Sequence, residues 1–367
     1  MEPLRLDPEQ ATLVERINEL KVERDALIVV HNYHPWPNYF IADFIGDSYG
    51  LAKEAAKATQ KHIIFCGVRF MAESAAAISL GKHVWLPHPE AGCPMADMVD
   101  QSDLEWYRSR WPDAALVAYI NTNASIKAQV DVVCTSANAA KVVAALPRDE
   151  VIFLPDLNLA DHVARQLGAR LIIPLRDERK AAVKMITDEL DRKVLRDGAF
   201  ELNYGKRKTI IGYDGMCHVH MHMRATLLES VKAARPNAKI IAHPECLPKF
   251  REAANYICST SKMIDVVRED PSKEFVIGTE KEMVWRIHKA FDDAGLPRKA
   301  LYWPGIGWSC TNMKKNSLAR VLALLDNREL LEAATEEGTD DIRLIKLESY
   351  IAEGARASLE RMLEIGA

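Results

Sequence analysis

The sequence contains no C-x-x-C pair. Its seven cysteines stand at 66, 93, 134, 217, 246, 258 and 310, and the nearest two, Cys246 and Cys258, are 12 residues apart. A zinc ribbon or a thioredoxin-type motif is thereby excluded. The odd count, with no apolar signal core behind Met1, argues for reduced thiols and a cytoplasmic protein rather than a disulfide framework. Glycine and proline are sparse, 17 of each in 367 residues, which rules out low-complexity and collagen-like chains. No apolar run approaches the roughly 18 residues that a membrane helix needs. Positive charge is not in excess either: 48 Lys and Arg face 52 Asp and Glu, for a net charge of −4. That leaves no basic field to favour nucleic acid or an anionic membrane as partner. The short runs Lys206-Arg207-Lys208 and Lys314-Lys315 read as solvated surface. Gly-x-x-x-x-Gly-Lys and Gly-x-Gly-x-x-Gly are also missing, so nucleotide binding is not indicated.

What is present is a folded composition, 48% hydrophobic and 27% charged, long enough for one to three compact units. It also contains a repeat. Three windows align without gaps. The first comprises Ala26–Tyr33 (ALIVVHNY), Ala42–Ser48 (ADFIGDS) and Ile63–Gly67 (IIFCG). The second comprises Ala114–Asn121, Val130–Ser136 and Val151–Pro155, and the third Ala238–Glu245, Ala254–Thr260 and Phe275–Thr279. Offsets of 88 and then 124 residues hold across all three segments. Each window opens with a β-branched run of the kind buried on both faces of a parallel sheet. A Ser/Thr/Asp helix start follows, with helices expected over Tyr49–Lys57, Ala137–Ala145 and Ser261–Val267, and then a second apolar strand. The expected fold class is therefore α/β: three βαβ-based domains with short parallel sheets, related by a pseudo-threefold axis.

The expected domains are residues 1–113, with an N-terminal helix at 7–24 capped by Asp7 and opened by Pro8; 114–225, with extra length at about 161–208 containing a helix over Glu178–Leu195; and 226–316. Residues 317–367 are expected to form two amphipathic helices split near Gly338.

In open parallel sheets, ligands bind beyond the carboxyl ends of the strands. Here those ends are His31-Asn32-Tyr33, Tyr119-Ile120-Asn121 and His243-Pro244-Glu245. One polar triplet alone would read as a loop cap; three in register point to a shared pocket holding His31, Tyr33, Tyr119, Asn121, His243 and Glu245. Ser48, Ser136 and the Ser259-Thr260 pair are also in register. They cap helices first, but three helix N-termini directed at one axis suit a small, multiply anionic substrate. Cys93, Cys217 and Cys310 each close one repeat after a Gly-containing turn. Three thiolates suit zinc or an iron–sulfur cluster, and three protein ligands leave one coordination position open. The other cysteines read as small buried hydrophobes: Cys66 within a strand, Cys134 and Cys258 aligned with Gly46, and Cys246 after Glu245. A second constellation stays open, because His218, His220 and His222 alternate beside Cys217 and would share one face of a strand as a Cys/His zinc site.

The stretches His31-Asn-Tyr, Ala42-Asp-Phe-Ile-Gly-Asp-Ser, Phe65-Cys-Gly-Val-Arg-Phe-Met-Ala-Glu73, Ala91-Gly-Cys-Pro-Met-Ala-Asp97, Cys134-Thr-Ser-Ala-Asn138, Phe153-Leu-Pro-Asp156, His243-Pro-Glu-Cys and Cys310-Thr-Asn-Met resemble, in order, the quinolinate synthase family. The resemblance implies three similar α/β domains about a pseudo-threefold axis, with a [4Fe-4S] cluster on Cys93, Cys217 and Cys310 whose fourth iron is open to substrate. It implies condensation of iminoaspartate with dihydroxyacetone phosphate to quinolinate, with loss of phosphate and two waters, in NAD biosynthesis. Glu245 and Tyr33, with His243, are then the acid/base candidates. His31, Ser48, Tyr119, Asn121, Ser136, His220, His243, Glu245, Ser259 and Thr260 would orient the anionic groups. L-Aspartate oxidase is the implied functional partner. Two other readings carry different expectations. One is an iron–sulfur enzyme resembling the diphthamide-biosynthesis proteins, and the other is a non-catalytic metal-binding redox scaffold.

Overall fold

A computed structural model describes residues 4–174, 193–195, 199–305, 309–336, 341 and 343–366. The first sheet contains β1 (Ala26–His31), β2 (Phe44–Gly46), β3 (His62–Cys66) and β4 (His83–Trp85), all parallel, in the order β2-β1-β3-β4. The second contains β5 (Ala115–Tyr119), β6 (Val132–Cys134), β7 (Glu150–Leu154), β8 (Arg170–Ile173), β9 (Lys193–Val194), β10 (Phe200–Asn203) and β11 (Thr209–Gly212), in the order β6-β5-β7-β11-β8-β10-β9. The third contains β12 (Lys239–Ala242), β13 (Tyr256–Ile257), β14 (Glu274–Gly278) and β15 (Ala300–Tyr302), in the order β13-β12-β14-β15. The fold is α/β, and the same four-strand order occurs three times.

The register repeats as well as the order. Val29 pairs with Phe44 and Phe65, Val117 with Val132 and Phe153, and Ile241 with Tyr256 and Ile277. A side-chain clip recurs beside each pair. Asp43 Oδ2 accepts from the Ile28 amide at 2.8 Å, Asp131 Oδ2 from Leu116 at 2.7 Å and Asn255 Oδ1 from Ile240 at 2.9 Å. Each of these residues returns its own amide to the same partner's carbonyl. The clip satisfies a donor at the sheet edge, where the strand pairing has ended. The central strands are buried almost throughout, as their unbroken apolar runs require.

Two helices start where the repeat places them. Asp47 caps Ser48–Lys57 by accepting from Gly50, and Thr260–Glu269 follows Ser259. The middle helix starts later, at Ala139, because Asn138 Oδ1 takes the Thr135 amide and holds residues 135–138 in a turn. The N-terminal helix runs Pro8–Glu23, with Asp7 and Gln10 forming a capping box.

The extra length in the second copy differs from its expected extent. Helix Leu157–Leu167 occupies the place of Arg69–Ile78 and Glu282–Asp293 in the other copies, so the added part begins at β8. Asp156 caps this helix through Leu159, which explains its early start. The strands β8, β10 and β9 extend the sheet outward from β11, with β10 antiparallel. Most of the helix expected over Glu178–Leu195 lies outside the described residues; its last part, Lys193–Val194, is strand β9.

Among the described residues, the tail forms three helices, Leu318–Leu325, Arg328–Glu336 and Ser349–Gly366. The first break comes at Asp326–Asn327, where Asn327 Oδ1 accepts from Leu330; Gly338 lies outside the described residues. Helix Ser349–Gly366 straps the first two copies together. Arg356 Nε donates to Ala77 O at 2.9 Å and Ser358 Oγ to Lys127 O at 2.8 Å. Gly354 permits this approach, because a Cβ there would lie 2.5 Å from Ala128 O. Gly354→Ala is therefore expected to lower unfolding stability by about 1–3 kcal/mol, read from the midpoint of urea denaturation; an unchanged midpoint would show that the helix can shift freely.

Candidate active site

The three strand ends open onto one cavity of about 70 Å³ to which every copy contributes. His31, Tyr119 and His243 line it from one repeated position and Tyr33, Asn121 and Glu245 from the next but one. Ser48, Ser136 and Thr260 line it from the helix entrances. Cys93, Cys217 and Cys310 share the wall, as do His218 and His220. Ser259 is the one candidate outside it. It lines a neighbouring hollow with Ser136 and Cys258, because the repeat aligns Thr260, not Ser259, with Ser48 and Ser136.

The cysteines are also placed by one local device. Each is followed at once by a 3₁₀ turn: Ala96–Met98, His220–His222 and Asn312–Lys314. Amides of that turn face the sulfur, from Met95 and Ala96 at Cys93, His220 at Cys217, and Asn312 and Met313 at Cys310. Burial pushes the Cys93 thiol up to about 12, and raises Cys217 and Cys310 as well. Alone, such thiols stay protonated; a bound cation would supply the charge that deprotonates them. Soft donors over backbone amides fit an iron–sulfur group. The expected strand carrying His218, His220 and His222 on one face is not formed. The 3₁₀ turn points them apart, with His220 buried, His222 half-buried and His218 exposed. Among the described residues, the close donor group is instead Cys217, His220 and Glu245, within 4.8 Å of one another.

Glu245 is the electrostatic centre. Tyr119 donates its hydroxyl to Glu245 Oε1 at 2.5 Å, while His220 Nδ1 lies 2.9 Å from Oε2 and His243 Nδ1 3.8 Å from Oε1. The His220 contact is close but off the line of a hydrogen bond, and so is electrostatic. Burial pushes the carboxyl up, yet His220 and the Tyr119 phenol outweigh it and hold Glu245 at about 2. Burial, reinforced by the Glu245 charge, raises both Tyr33 and Tyr119, so each phenol keeps its proton. His31 Nδ1 accepts from the Tyr33 amide at 3.1 Å and His243 Nδ1 from the Glu245 amide at 3.4 Å. Burial lowers both histidines to about 3, so each is a neutral ring whose remaining N–H, on Nε2, is a donor. Asn121 Oδ1 is buried without a partner, an acceptor left for a ligand.

Four residues at or behind the cavity wall are given no site role by the sequence argument: Asp156, Thr279, Glu280 and Lys314. The fully buried Thr279 meets the Tyr33 hydroxyl and lies 2.9 Å from His220 Nε2. Glu280 Oε1 accepts from the Cys310 amide at 3.3 Å and faces Lys314 Nζ at 3.0 Å, while Lys314 donates to Tyr33 O at 2.6 Å. Lys314 is thus a tie between copies and not the solvated residue its charge run suggests. Asp156 is buried, caps the helix after β7 and faces the Cys217 amide. A signal was available, since the positions after the third strand of each repeat align as Gly67-Val68, Pro155-Asp156 and Thr279-Glu280.

A triplicated α/β chain whose three copies bring thiols, phenols and imidazoles around one buried carboxylate has the architecture of an enzyme acting on a small molecule. The family model described as Quinolinate synthetase A protein matches residues 15–364. The quinolinate synthase of Caldicellulosiruptor bescii is 39% identical over 355 residues, 96% of this chain and 98% of that protein. Those of Caldicellulosiruptor saccharolyticus and Methanosarcina barkeri are 37% identical (95% of this chain, 97% of theirs) and 36% identical (97% and 99%). The chain belongs to the quinolinate synthase family, whose members are enzymes of NAD biosynthesis. No helix among the described residues is long and apolar enough to cross a membrane.

Proposed function

We propose that the protein condenses iminoaspartate with dihydroxyacetone phosphate to give quinolinate, phosphate and two waters. The observation that carries this reading is the delivery of one cysteine per repeat, each on the same amide-lined turn, to the cavity that also holds Glu245. Cys93, Cys217 and Cys310 would hold a [4Fe-4S] cluster. When bound, its open iron supplies Lewis-acid polarisation of a hydroxyl or carbonyl oxygen during dehydration.

The protein's own groups account for the rest. The substrates together carry two carboxylates and a phosphate. Ser48 and Thr260 open two helices and Ser136 sits in the turn before a third, so hydroxyls and free amides can bind these anions. The neutral N–H groups of His31 and His243 donate to substrate oxygens without adding a positive charge. The Asn121 amide oxygen accepts from a substrate N–H. Glu245, ionised and held by Tyr119 and His220, takes a proton from carbon or nitrogen. Tyr33, still protonated, gives one to a leaving hydroxyl. Phe70, Met71, Met95 and Met313 form the apolar part of the wall, which limits water around a hydrolysable imine. That lability also favours supply by L-aspartate oxidase in the same compartment, the cytoplasm.

A mononuclear zinc site on Cys217, His220 and Glu245 is less well supported, because Thr279 and Tyr119 already engage the imidazole and the carboxylate. Anaerobic purification, followed by iron, sulfide and zinc analysis and incubation with the two substrates, separates the readings. Iron and sulfide near four each per chain, together with quinolinate, are expected. Zinc alone, or a full cluster without product, would overturn the proposal.

A further inference from the structure

We infer that Tyr39, Lys127 and Arg251, one from each copy, are positioning residues: each holds from behind the turn that carries its copy's cavity side chains, at the point where that turn is tied to a neighbouring copy. The kinetic consequence rests on the reaction proposed above; the geometry does not.

The three residues stand at one address, eight places after His31, Tyr119 and His243. They sit on the short helical segments that follow the strand ends, Trp36–Phe40, Ala124–Lys127 and Pro248–Glu252. Their side chains share only a long reach with a donor at the tip, and all three are buried, with exposures of 3%, 0% and 3%. Each turns back to a carbonyl of the strand-end turn. Tyr39 donates its hydroxyl to Asn32 O at 2.8 Å, Lys127 Nζ donates to Thr122 O at 2.7 Å and Arg251 Nε to Cys246 O at 2.8 Å. These carbonyls belong to the residues next to Tyr33, Asn121 and Glu245. None of the three holders lines the cavity, so each acts only through its turn.

The ties between copies close a ring. Lys127 also donates to Ser74 Oγ at 2.8 Å and Phe70 O at 3.2 Å, on helix Arg69–Ile78 of the first copy. Arg251 Nη2 donates to Asp161 Oδ2 at 2.5 Å, on the equivalent helix Leu157–Leu167 of the second. In the first copy the tie runs the other way, because Tyr39 has no second proton. Arg286, on the equivalent helix Glu282–Asp293 of the third copy, donates Nε to Asn32 Oδ1 at 3.1 Å. Three acceptors thus take the three protons of Lys127, and Asp161 neutralises Arg251. Asp161 is fully buried and is held in turn by the Tyr204 hydroxyl at 2.5 Å and Arg165 Nε at 3.1 Å. Tyr204 directly follows β10, so the strands added to the second copy support the Glu245 turn from outside the site. Packing alone does not call for this pattern, since an apolar residue would fill the same space without desolvating a charge. What the three holders have in common is the bond to the turn.

Arg251→Met keeps most of the side chain and removes its donors; Arg251→Lys puts into the third copy the residue that the second uses. Arg251→Met is expected to lower kcat about 10-fold with KM within about threefold, and Arg251→Lys to return kcat to within about threefold of the wild-type value. Because Arg251 acts through Glu245, Arg251→Met should cost less in a Glu245→Gln background than alone. Tyr39→Phe removes one hydroxyl without opening a cavity, so it reads the same role in a chain with its core intact. There kcat should fall about fivefold, and by less in a Tyr33→Phe background. Crystal structures give a readout without turnover. The Cys246 carbonyl and the Glu245 carboxylate should leave their places in Arg251→Met and keep them in Arg251→Lys, and the Asn32 carbonyl and the Tyr33 ring should shift in Tyr39→Phe. Unmoved turns in Arg251→Met and Tyr39→Phe, a Lys variant as impaired as the Met variant, or fully multiplicative losses would overturn the inference. If wild-type protein forms no quinolinate while the turns move as expected, the positioning role stands and the reaction proposal falls.

Discussion

Cys217→Ala protein purified under nitrogen is expected to lack iron, sulfide and visible absorption, and to form no quinolinate. Cys93→Ala and Cys310→Ala should behave alike. The reason is geometric. Each sulfur comes from a different copy, so removing one deletes a whole side of the donor set, and no other thiol stands ready to take its place. Cys66 lies within β3 and Cys134 ends β6; both are buried in the hydrophobic core. Cys246 Sγ is turned to Gly278 O at 3.2 Å, and Cys258 lines the neighbouring hollow rather than the cavity. Cys66→Ala serves as the control and should keep both the cluster and the activity. Equal loss from Cys66→Ala and Cys217→Ala would show that the assay reads general stability and would undo the ligand assignment.

Glu245→Gln is expected to keep its iron and sulfide and to lose about 10²–10⁴-fold in kcat, the usual contribution of a general acid or base. Glutamine preserves the shape but places an amide N–H₂ against either the Tyr119 hydroxyl or His220, and it cannot take a proton. Because the carboxyl is held at about 2, Glu245 does not change charge between about pH 5 and 9 in the free protein, and the loss should be flat across that range. A deficit confined to one end of the range would point to another group as the acid or base. The same contacts bear on stability. A carboxyl held below its ordinary 4.5 contributes stability above that pH, and the contribution is lost as pH falls towards 2.

The threefold register was legible because it is carried by unbroken apolar strands, whose spacing is kept while the residues between them differ. It predicted the pairing of Val29, Val117 and Ile241 with their neighbours, and it brought most of the candidate residues to one cavity. What it missed turns on single positions. Ser259 and Thr260 are both hydroxyl residues, and only the register with Ser48 separates the one facing the cavity from the one behind it. His218, His220 and His222 alternate as in a strand, but a backbone bond from Met221 N to Cys217 O curls the chain into a turn. The charge run at Lys314 gave no hint of its partners, because Glu280 and the Tyr33 carbonyl come from other parts of the chain.

The repeated addresses have a consequence for how such a site acquires direction. Three separate copies of one such unit, assembled as a trimer, would present the same residue three times at every address. A pocket of that kind cannot tell one end of a substrate from the other. Covalent fusion removes the constraint: His31, Tyr119 and His243, or Gly67, Pro155 and Thr279, can differ while the backbone that carries them stays the same. The asymmetry needed to join two unlike molecules in one orientation is thus written in side chains alone, on a scaffold that remains triangular.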